Sequence, residues 1–457
     1  MWLPALSAAL GIVAFLPFNL YPVSFIFLVP LFIFFVHEQK LWRMVAGTIL
    51  FRFIFSMGTI YFTLEPILWI SSLLIFCGLP ISLFIFKKFW RGPEFSFFIV
   101  MPIAFALFDL AQAQFSLIPT FIFSAGNALG SSPFLGLATL GGLVFLTFFM
   151  TVVNMLVTAI VLNYQHNRLA IVLVILLFSG WWISQFELNQ NAVAYSALQH
   201  SLTVATVSTN RAFTATNLPQ LVQELGQQKV DLIIFPENMM DIVSPSSDDG
   251  LTISETFQNL ARELHASVLA TYDTMRGRKK YMSAVLFNAE GEVVGTHNKS
   301  RLTFAGEYWP FSSWRPSFYD WLRKKDPNIG EYAVFDQQNA LTAGEQNLLS
   351  MTVAGEPIHF AVPICLEIHY PADLSSYKTA GARFIVNPSS NRWLTIGSDQ
   401  FFYLTNNMKK IESVSLKLPI ISSGVNDFAG VTLPNDKSVQ HHVLNKNYII
   451  SFDTVRY

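Results

Sequence analysis

The sequence predicts a membrane bundle of about seven α-helices followed by a soluble domain of the α/β class. Charged residues are unevenly distributed: of 29 basic and 30 acidic residues, only 11 precede residue 186. The first part therefore has the composition of a membrane domain, and the second part that of an ordinary soluble domain. In the second part, β-rich runs alternate with helix-like segments, which is typical of an α/β layered domain. We expect a transmembrane helical domain over residues 1–190 and an α/β domain over residues 195–457.

The first part contains apolar segments, most of them close to the ~20 residues that a helix needs to cross a bilayer. Lysine and arginine follow the second, fourth and sixth segments, whereas the other connections have almost no positive charge. Because basic loops stay in the cytoplasm, we expect the chain beyond the seventh segment to lie outside. The segments cover residues 3–20, 22–36, 44–62, 67–86, 95–113, 133–162 and 169–185. The basic residues that orient them are Lys40, Arg43, Lys87, Lys88, Arg91 and Arg168.

Three polar features interrupt these apolar segments or the connections between them. Arg52 and Asp109 fall within predicted spans, where charge is costly, so each should face a partner or a watery cavity. One interpretation is a portal for a phospholipid head group, and the other is a structural ion pair or a side chain that reaches the interface. The segment Ser124–Pro133 is too polar for lipid and predicts a loop at the outer face.

Composition excludes several classes of function. A net charge of −1 without a basic stripe argues against nucleic acid as a partner. Cys77 lies in a predicted membrane segment and Cys365 in the soluble part, so we expect no disulfide between them and no metal site. We expect no cofactor. The sequence has no Gly-x-Ser-x-Gly, His-Glu-x-x-His or phosphate-loop motif, so serine-hydrolase, zinc and nucleotide chemistry are unsupported.

The stretch from His359 to Pro371 contains the candidate nucleophile. The apolar run His359–Ile364 predicts a buried strand, Cys365 ends it, and a helix-compatible segment follows. A thiol at such a turn is held on rigid backbone, and the N-terminus of the next helix favours a thiolate. A free cysteine is also often a small buried hydrophobe. The position of Cys365 at the end of a strand favours the nucleophile.

A cysteine nucleophile needs a base that takes its proton and a cation that stabilises the charge that develops. Glu237 follows Pro236 at the end of the predicted strand Val230–Phe235 and is the candidate base. Lys299 follows the predicted strand Val293–His297 and is the candidate cation. Considered singly, each of these residues would be interpreted as a surface charge.

Residues 303–345 depart from the alternation of strands and helices. The segment is long and aromatic, and a long ordered loop is usually functional. Exposed aromatic side chains beside a membrane predict an interfacial lid or an acyl-chain gate, and the alternative is a local satellite core. The possible lid or acyl-chain contacts are Tyr308, Trp309, Phe311 and Trp314.

Three short motifs resemble those of the carbon–nitrogen hydrolase (nitrilase) superfamily, and within it the apolipoprotein N-acyltransferase family. They are Phe-Pro-Glu ending at Glu237, Lys-x-x-Leu from Lys299 with Gly-Glu-Tyr-x-Pro after it, and Ile-Cys-x-Glu around Cys365. Leu16–Pro22, Gly141-Gly142 and Asn154 are similar to that family's membrane part. The resemblance therefore covers nearly the whole chain.

The resemblance implies an α-β-β-α sandwich and a Glu-Lys-Cys triad with Glu237 as base, Lys299 as oxyanion cation and Cys365 as nucleophile. Glu307 and Glu367 would be supporting carboxylates. The implied reaction moves an acyl chain from a phospholipid, through a thioester, to the N-terminal amine of a diacylglyceryl-cysteine lipoprotein. The implied location is the bacterial inner membrane, with the catalytic domain on the periplasmic side.

The sequence also departs from the family pattern. Leu366 replaces the usual tyrosine after the cysteine, Phe304-Ala305 replaces Pro-Phe, and no eighth apolar segment follows the hydrolase domain. The alternatives are therefore a membrane-tethered amidase, an acyltransferase for another amine, or a lipid-binding homologue whose site has decayed.

Overall fold

A computed structural model gives the fold as two compact units. The first unit contains residues 1–197, 393–418 and 432–437, and the second contains residues 198–392, 419–431 and 438–457. The structure describes residues 1–15, 20–59, 78–89, 96–115, 124–164, 166–210, 213, 215–238, 253–303, 307–308, 324, 340–391, 398–436, 438–439 and 442–457.

The first unit is a helical bundle with a phenylalanine-rich core. A described helix overlaps each of the seven predicted segments, and the last extends well beyond the predicted end at residue 185. By length and composition, two of the described helices could cross a membrane, Gly142–Val161 and Asn167–Ser196. Seven spans therefore remain a prediction. The helices are α1 (Trp2–Phe15), α2 (Tyr21–Ser24), α3 (Val29–His37), α4 (Leu41–Thr59), α5 (Gly78–Phe89), α6 (Ser96–Phe115), α7 (Gly142–Val161) and α8 (His166–Ser196).

Polar side chains link the segments of the bundle. The Asn154 amide on α7 accepts the backbone N–H of Leu28 at 2.9 Å and donates to the Ser24 carbonyl at 2.8 Å. Arg52 on α4 is buried, with its guanidinium 5.5 Å from the centroid of the Phe55 ring. This contact decides neither interpretation of Arg52. The side chain of Asp109, like Cys77, lies outside what the structure describes.

The polar segment before α7 is buried and forms 3₁₀ helices, whereas the sequence predicts a loop; its position at the outer face stays a prediction. Residues Ala125–Leu129 and Leu135–Leu140 form 3₁₀ helices, and Asn127 and Ser132 are almost fully buried. The segment avoids an energetic penalty because its polar groups find partners: the hydroxyl of Thr147 accepts the backbone N–H of Gly126 at 3.0 Å.

A helix from the second half of the sequence, Ser398–Leu416, packs within the first unit. The Asn127 side chain donates to the Leu404 carbonyl at 3.2 Å, and the Ser131 hydroxyl hydrogen-bonds to the Asn407 amide oxygen at 2.5 Å. The helix approaches the backbone of Gly130 so closely that any side chain there would clash: a Cβ added at Gly130 would lie 2.7 Å from the Cβ of Asn407.

The second unit is built on a mixed β-sheet. The strand order is β11-β10-β9-β1-β2-β3-β4-β5, with β8 beside β9 and β13 between β1 and β12. β1, β2 and β3 are parallel, whereas β4 and β5 continue the sheet antiparallel. The strands are β1 (Ser201–Thr209), β2 (Leu232–Glu237), β3 (Ser267–Arg276), β4 (Lys279–Phe287), β5 (Val293–Asn298), β6 (Leu349–Val353), β7 (Glu356–Phe360), β8 (Ile385–Ser390), β9 (Ile420–Val425), β10 (Gly430–Thr432), β11 (Ser438–Val439), β12 (His442–Leu444) and β13 (Tyr448–Arg456).

Helices cover one face of this sheet. Phe235 of β2 contacts Phe257 with a ring-centroid distance of 5.2 Å, and Leu221 joins the same buried cluster. Alternation along a strand places every second residue of β2 on this face. The helices of this unit are α9 (Leu218–Leu225), α10 (Ile253–Leu264) and α11 (Pro371–Thr379). The helix Ser398–Leu416 of the first unit is α12.

The predicted strands and helices of the soluble part overlap the observed ones, except before the cysteine. The expected strand His359–Ile364 is wrong beyond its start, because β7 ends at Phe360 and pairs with β6. Ala361 makes one bridge to Ile385, and the next three residues are not in a strand. Pro363 explains the interruption, since proline has no N–H to donate to a ladder.

Candidate active site

Cys365 lies at a sharp turn held by the neighbouring strand β8. It is the first residue of a 3₁₀ helix, Cys365–His369, and has a φ of +52°, which is uncommon for a side-chain-bearing residue. The Asn387 amide on β8 donates to the carbonyls of Pro363 at 2.8 Å and Cys365 at 3.1 Å. The backbone N–H of Ser390 hydrogen-bonds to the sulfur. These contacts hold a partly exposed thiol in a strained conformation.

Glu237 ends β2 at an irregularity in the sheet. The register between β2 and β3 shifts between Ile234 and Glu237, and Asn238 follows with a φ of +59°. Such shifts re-aim side chains at the ends of strands. The Glu237 carboxylate is buried, and the Cys365 thiol lies close enough to lower its pKa. The expected end-of-strand carboxylate is therefore in contact with the expected cysteine.

Lys299 follows β5 and carries a buried ammonium between two carboxylates. Its Nζ lies 2.9 Å from Oε1 of Glu237 and 2.5 Å from Oε1 of Glu307. The backbone is fixed on both sides, because Lys299 N–H donates to the Met282 carbonyl and the Gly344 N–H donates to the Lys299 carbonyl. The structure thus brings Glu237, Lys299 and Cys365 together from three separate segments.

Glu307 is a direct partner of the lysine. One of its carboxylate oxygens binds the ammonium, and the other accepts the backbone N–H of Thr303 at 2.7 Å. The ion pair therefore joins two residues that are eight positions apart in the sequence.

Burial and charge together set the protonation of the site. Burial alone would lower the pKa of Lys299, but the two carboxylates outweigh it and hold the pKa well above its usual value. Burial raises the pKa of Glu237, Lys299 opposes this, and Glu307 adds to it. Burial and the Glu237 charge raise the pKa of the Cys365 thiol, against the effect of Lys299. A protonated thiol thus lies beside a carboxylate with raised proton affinity.

Glu367 joins the cysteine turn to the lysine loop. Its Oε1 accepts the backbone N–H groups of Ser300 at 2.7 Å and Arg301 at 3.0 Å, together with the Ser300 hydroxyl at 2.6 Å. Its Oε2 accepts the Ile364 N–H at 2.7 Å and faces Nε2 of His297 at 3.5 Å. Burial would raise the pKa of Glu367, but these hydrogen bonds, led by that from His297, hold it below its usual value.

Sequence reasoning missed several residues of the site. His297 contacts Glu367. The turn at Cys365 is held by Asn387 and Ser390. Arg301 forms an ion pair with Asp373 through two hydrogen bonds of 2.8 and 3.0 Å. His297 could have been found from its position two residues before Lys299, since such residues share one face of a strand.

The predicted aromatic contacts are only partly visible. Tyr308 is half-buried, whereas Trp309, Phe311 and Trp314 lie outside the described residues, as does most of 303–345. The structure therefore does not test the lid. Within the part of the chain that it describes, no group of three or more His, Cys, Asp or Glu side chains could hold a metal ion.

Two family models match the chain in tandem. Residues 7–156 match the apolipoprotein N-acyltransferase N-terminal domain, and residues 193–411 match the carbon-nitrogen hydrolase family. The second match covers the strands and turns that carry Glu237, Lys299 and Cys365, and its α/β domain agrees with the nitrilase-like fold expected from the sequence.

Curated relatives share part of the chain at low identity. Apolipoprotein N-acyltransferase 2 of Treponema denticola is 23% identical over 223 residues, which are 47% of this chain and 39% of the relative. Apolipoprotein N-acyltransferase of Brucella suis biovar 1 is 26% identical over 210 residues, 45% of this chain and 36% of the relative. The matched segments thus span less than two fifths of the length of these relatives.

Solved structures of nitrilase-superfamily proteins also match. Nit3 of Saccharomyces cerevisiae has a TM-score of 0.38 at 16% identity, over 56% of this chain and 90% of that one. An amidase from Nesterenkonia AN1 has a TM-score of 0.36 at 13% identity, over 55% of this chain and 90% of that one.

The hydrolase-model match and the α/β domain make the second part of the chain similar to the carbon–nitrogen hydrolase class. With the N-terminal domain match in front of it, the chain is similar in both parts to the apolipoprotein N-acyltransferases, which supports a divergent protein of that kind.

Proposed function

We propose that the chain transfers an acyl group from a phospholipid to the N-terminal amine of a diacylglyceryl-cysteine lipoprotein. The observation that carries this proposal is the Lys299 ammonium, 2.9 Å from Glu237 and 2.5 Å from Glu307, with the Cys365 thiol close enough to influence the pKa of both Glu237 and Lys299. The match to the apolipoprotein N-acyltransferase N-terminal domain supports lipids as substrates.

In the first half-reaction, Glu237 takes the thiol proton while the Cys365 sulfur attacks the ester carbonyl of the phospholipid. Lys299 stabilises the oxyanion of the tetrahedral intermediate. The C–O bond then breaks, and Glu237 returns the proton to the leaving glycerol oxygen. The products are a Cys365 thioester and a lysophospholipid.

In the second half-reaction, the free α-amine of the lipoprotein attacks the thioester carbonyl. Glu237 accepts a proton from the amine, the C–S bond breaks, and the proton passes to the sulfur. An amide forms and the thiol is regenerated. Lys299 again faces the oxyanion, so one set of groups serves both steps.

The membrane arrangement follows from the same proposal. Because both substrates are lipids, the site has to open at a bilayer surface. We propose that seven spans within residues 1–190 place the hydrolase domain, residues 195–457, on the outer side of the bacterial inner membrane. The aromatic segment 303–345 would then act as the lid for the acyl chain.

The proposal can be tested in cells depleted of their own N-acyltransferase. The chain would be expressed as wild type, as Cys365→Ala, and as His359→Ala, a control at an exposed position of β7. Mass spectrometry of lipoprotein N-termini should show a third acyl chain with wild type and the control, and none with Cys365→Ala. Equal masses with wild type and Cys365→Ala would refute the proposal.

A trapping experiment separates a transferase from an amidase or a decayed site. Purified protein would be incubated with a phospholipid carrying a labelled acyl chain, without an acceptor. A labelled thioester on Cys365 that is discharged by a diacylglyceryl peptide is the expected result. Discharge by water alone, at the same rate with and without the peptide, would indicate hydrolysis.

A further inference from the structure

His297 lies behind the site, where no step of the proposed mechanism uses it. It is fully buried near the end of β5, two residues before Lys299. Nε2 faces Oε2 of Glu367 at 3.5 Å, and Nδ1 lies 3.5 Å from the backbone nitrogen of Asn347 and 3.2 Å from its carbonyl oxygen. The ring also meets the edge of Tyr377, with centroids 6.2 Å apart. Polar and aromatic contacts therefore fix the imidazole on several sides.

Glu367 has its acceptor capacity largely occupied. It accepts backbone N–H groups from Ile364, Ser300 and Arg301 and the hydroxyl of Ser300, besides facing His297. A carboxylate bound in this way is a poor proton carrier, because each bond favours its charged form. Its partners come from the turn that carries Cys365 and from the loop that carries Lys299. Glu367 thus fixes the separation of the nucleophile and the cation.

We propose that His297 is a positioning residue, which acts through Glu367 to hold Lys299 in place against Cys365. The proposal rests on the function proposed above, because its effect is read in thioester formation. An Nε2–H of the imidazole donates to Oε2 of Glu367, the oxygen that also accepts the Ile364 N–H. Without this donor the carboxylate loses one of the groups that hold Oε2, and the acceptor of the Ser300–Arg301 backbone is held less firmly.

A small displacement of Lys299 is enough to affect the rate. The ammonium has to lie where the oxyanion develops, and misplacement by about 1 Å costs on the order of 100-fold in rate. His297→Phe keeps a ring of similar size and removes the donor, so it should slow thioester formation by about 10- to 100-fold. His297→Gln retains an N–H donor and should recover most of that loss. His359→Phe is the matched control, since the same substitution then falls on an exposed histidine.

The experiment measures single-turnover acylation of purified, folded full-length protein by labelled phospholipid at increasing concentration. For His297→Phe, the limiting rate should fall while the half-saturating phospholipid concentration stays unchanged. In combination with Glu367→Gln, His297→Phe should add no further loss, because residues that act through one another are not additive. Additive losses, a wild-type rate for His297→Phe, or equal losses for His297→Phe and His297→Gln would overturn the proposal.

Alkylation of Cys365 by iodoacetamide across pH provides a second readout without phospholipid. Lys299 lowers the pKa of the Cys365 thiol, so a displaced ammonium should move the alkylation profile of His297→Phe to higher pH. His297→Gln should restore the wild-type profile. If wild type is never acylated, the proposed function fails while this shift still supports the positioning role. An unchanged profile in His297→Phe contradicts the positioning role, whatever the substrate.

Discussion

In the first unit, several buried amides and hydroxyls hydrogen-bond to backbone groups of other segments, whereas in the second unit buried charged groups gather around Cys365. Asn154, Asn127 and Thr147 join helices to backbone groups of other segments. The described ion pairs of the first unit lie near its surface, as with Arg43 and Glu38, whose side chains are 49% and 14% exposed. Lys299 and Glu237 in the second unit are 1% and 6% exposed.

Buried neutral amides and buried ion pairs differ in what they contribute to stability. A neutral amide that satisfies backbone groups stabilises packing at little electrostatic cost. A buried ion pair contributes little net stability, because desolvation offsets its attraction. Buried charge around Cys365 is therefore better explained by chemistry than by stability. The comparison predicts that substitutions in the first unit change stability alone, whereas substitutions of the charged groups around Cys365 also change activity.

The largest effect is expected from Lys299→Met in the second unit. The substitution leaves two buried carboxylates without their cation, which should cost about 3–5 kcal/mol of unfolding free energy. It also removes the proposed oxyanion partner, so acyl transfer should fall on the order of 1,000-fold. Thermal unfolding in detergent and single-turnover acylation measure the two effects.

Two controls separate the causes of the Lys299→Met effect. Adding Glu307→Gln removes one of the uncompensated carboxylates, so it should restore part of the stability and none of the activity. Lys417→Met breaks a 3.9 Å ion pair with Glu187 in which the lysine side chain is 50% exposed. Because exposed pairs contribute little, this substitution should alter neither stability nor acyl transfer. Acyl transfer at the wild-type rate in Lys299→Met would contradict a role for the ammonium in the reaction.

A smaller effect, confined to stability, is expected from Asn154→Leu in the first unit. The substitution leaves the Leu28 N–H and the Ser24 carbonyl without their side-chain partner, at a cost of about 2 kcal/mol. Thr158→Val is the control, because within the described part of the chain the Thr158 hydroxyl bonds to the Asn154 carbonyl of its own helix and to no other segment. Unfolding midpoints in detergent should fall for the first variant and barely move for the second. Equal unfolding midpoints for Asn154→Leu and Thr158→Val would mean that the Asn154 amide does not link these segments.

The sequence predicts the fold more completely than the site. Strand and helix periodicity places Glu237 and Lys299 at the ends of β2 and β5, and the apolar segments coincide with described helices. The contacts of Glu367 with Ser300 and Arg301 join positions 66 or 67 residues apart, which no local pattern records. The burial of the segment before α7 has no sequence signal, because polarity alone does not show that Asn127 finds its partner on α12.

Glu412 on α12 should give the smallest of these effects, and it tests whether a buried carboxyl of the first unit is kept neutral. The carboxyl is buried, one of its oxygens has no hydrogen-bond partner, and burial raises its pKa to about 8. Because the folded-state pKa exceeds the unfolded value, the folded state binds the extra proton, and stability falls as pH rises from the unfolded pKa through the folded one.

The variant Glu412→Gln has no titrating proton at this position. Wild type should therefore lose about 1–2 kcal/mol relative to the variant between pH 6 and pH 7.5, measured as the difference in unfolding free energy in detergent. A constant difference across that range would mean that Glu412 is ionised in the folded protein.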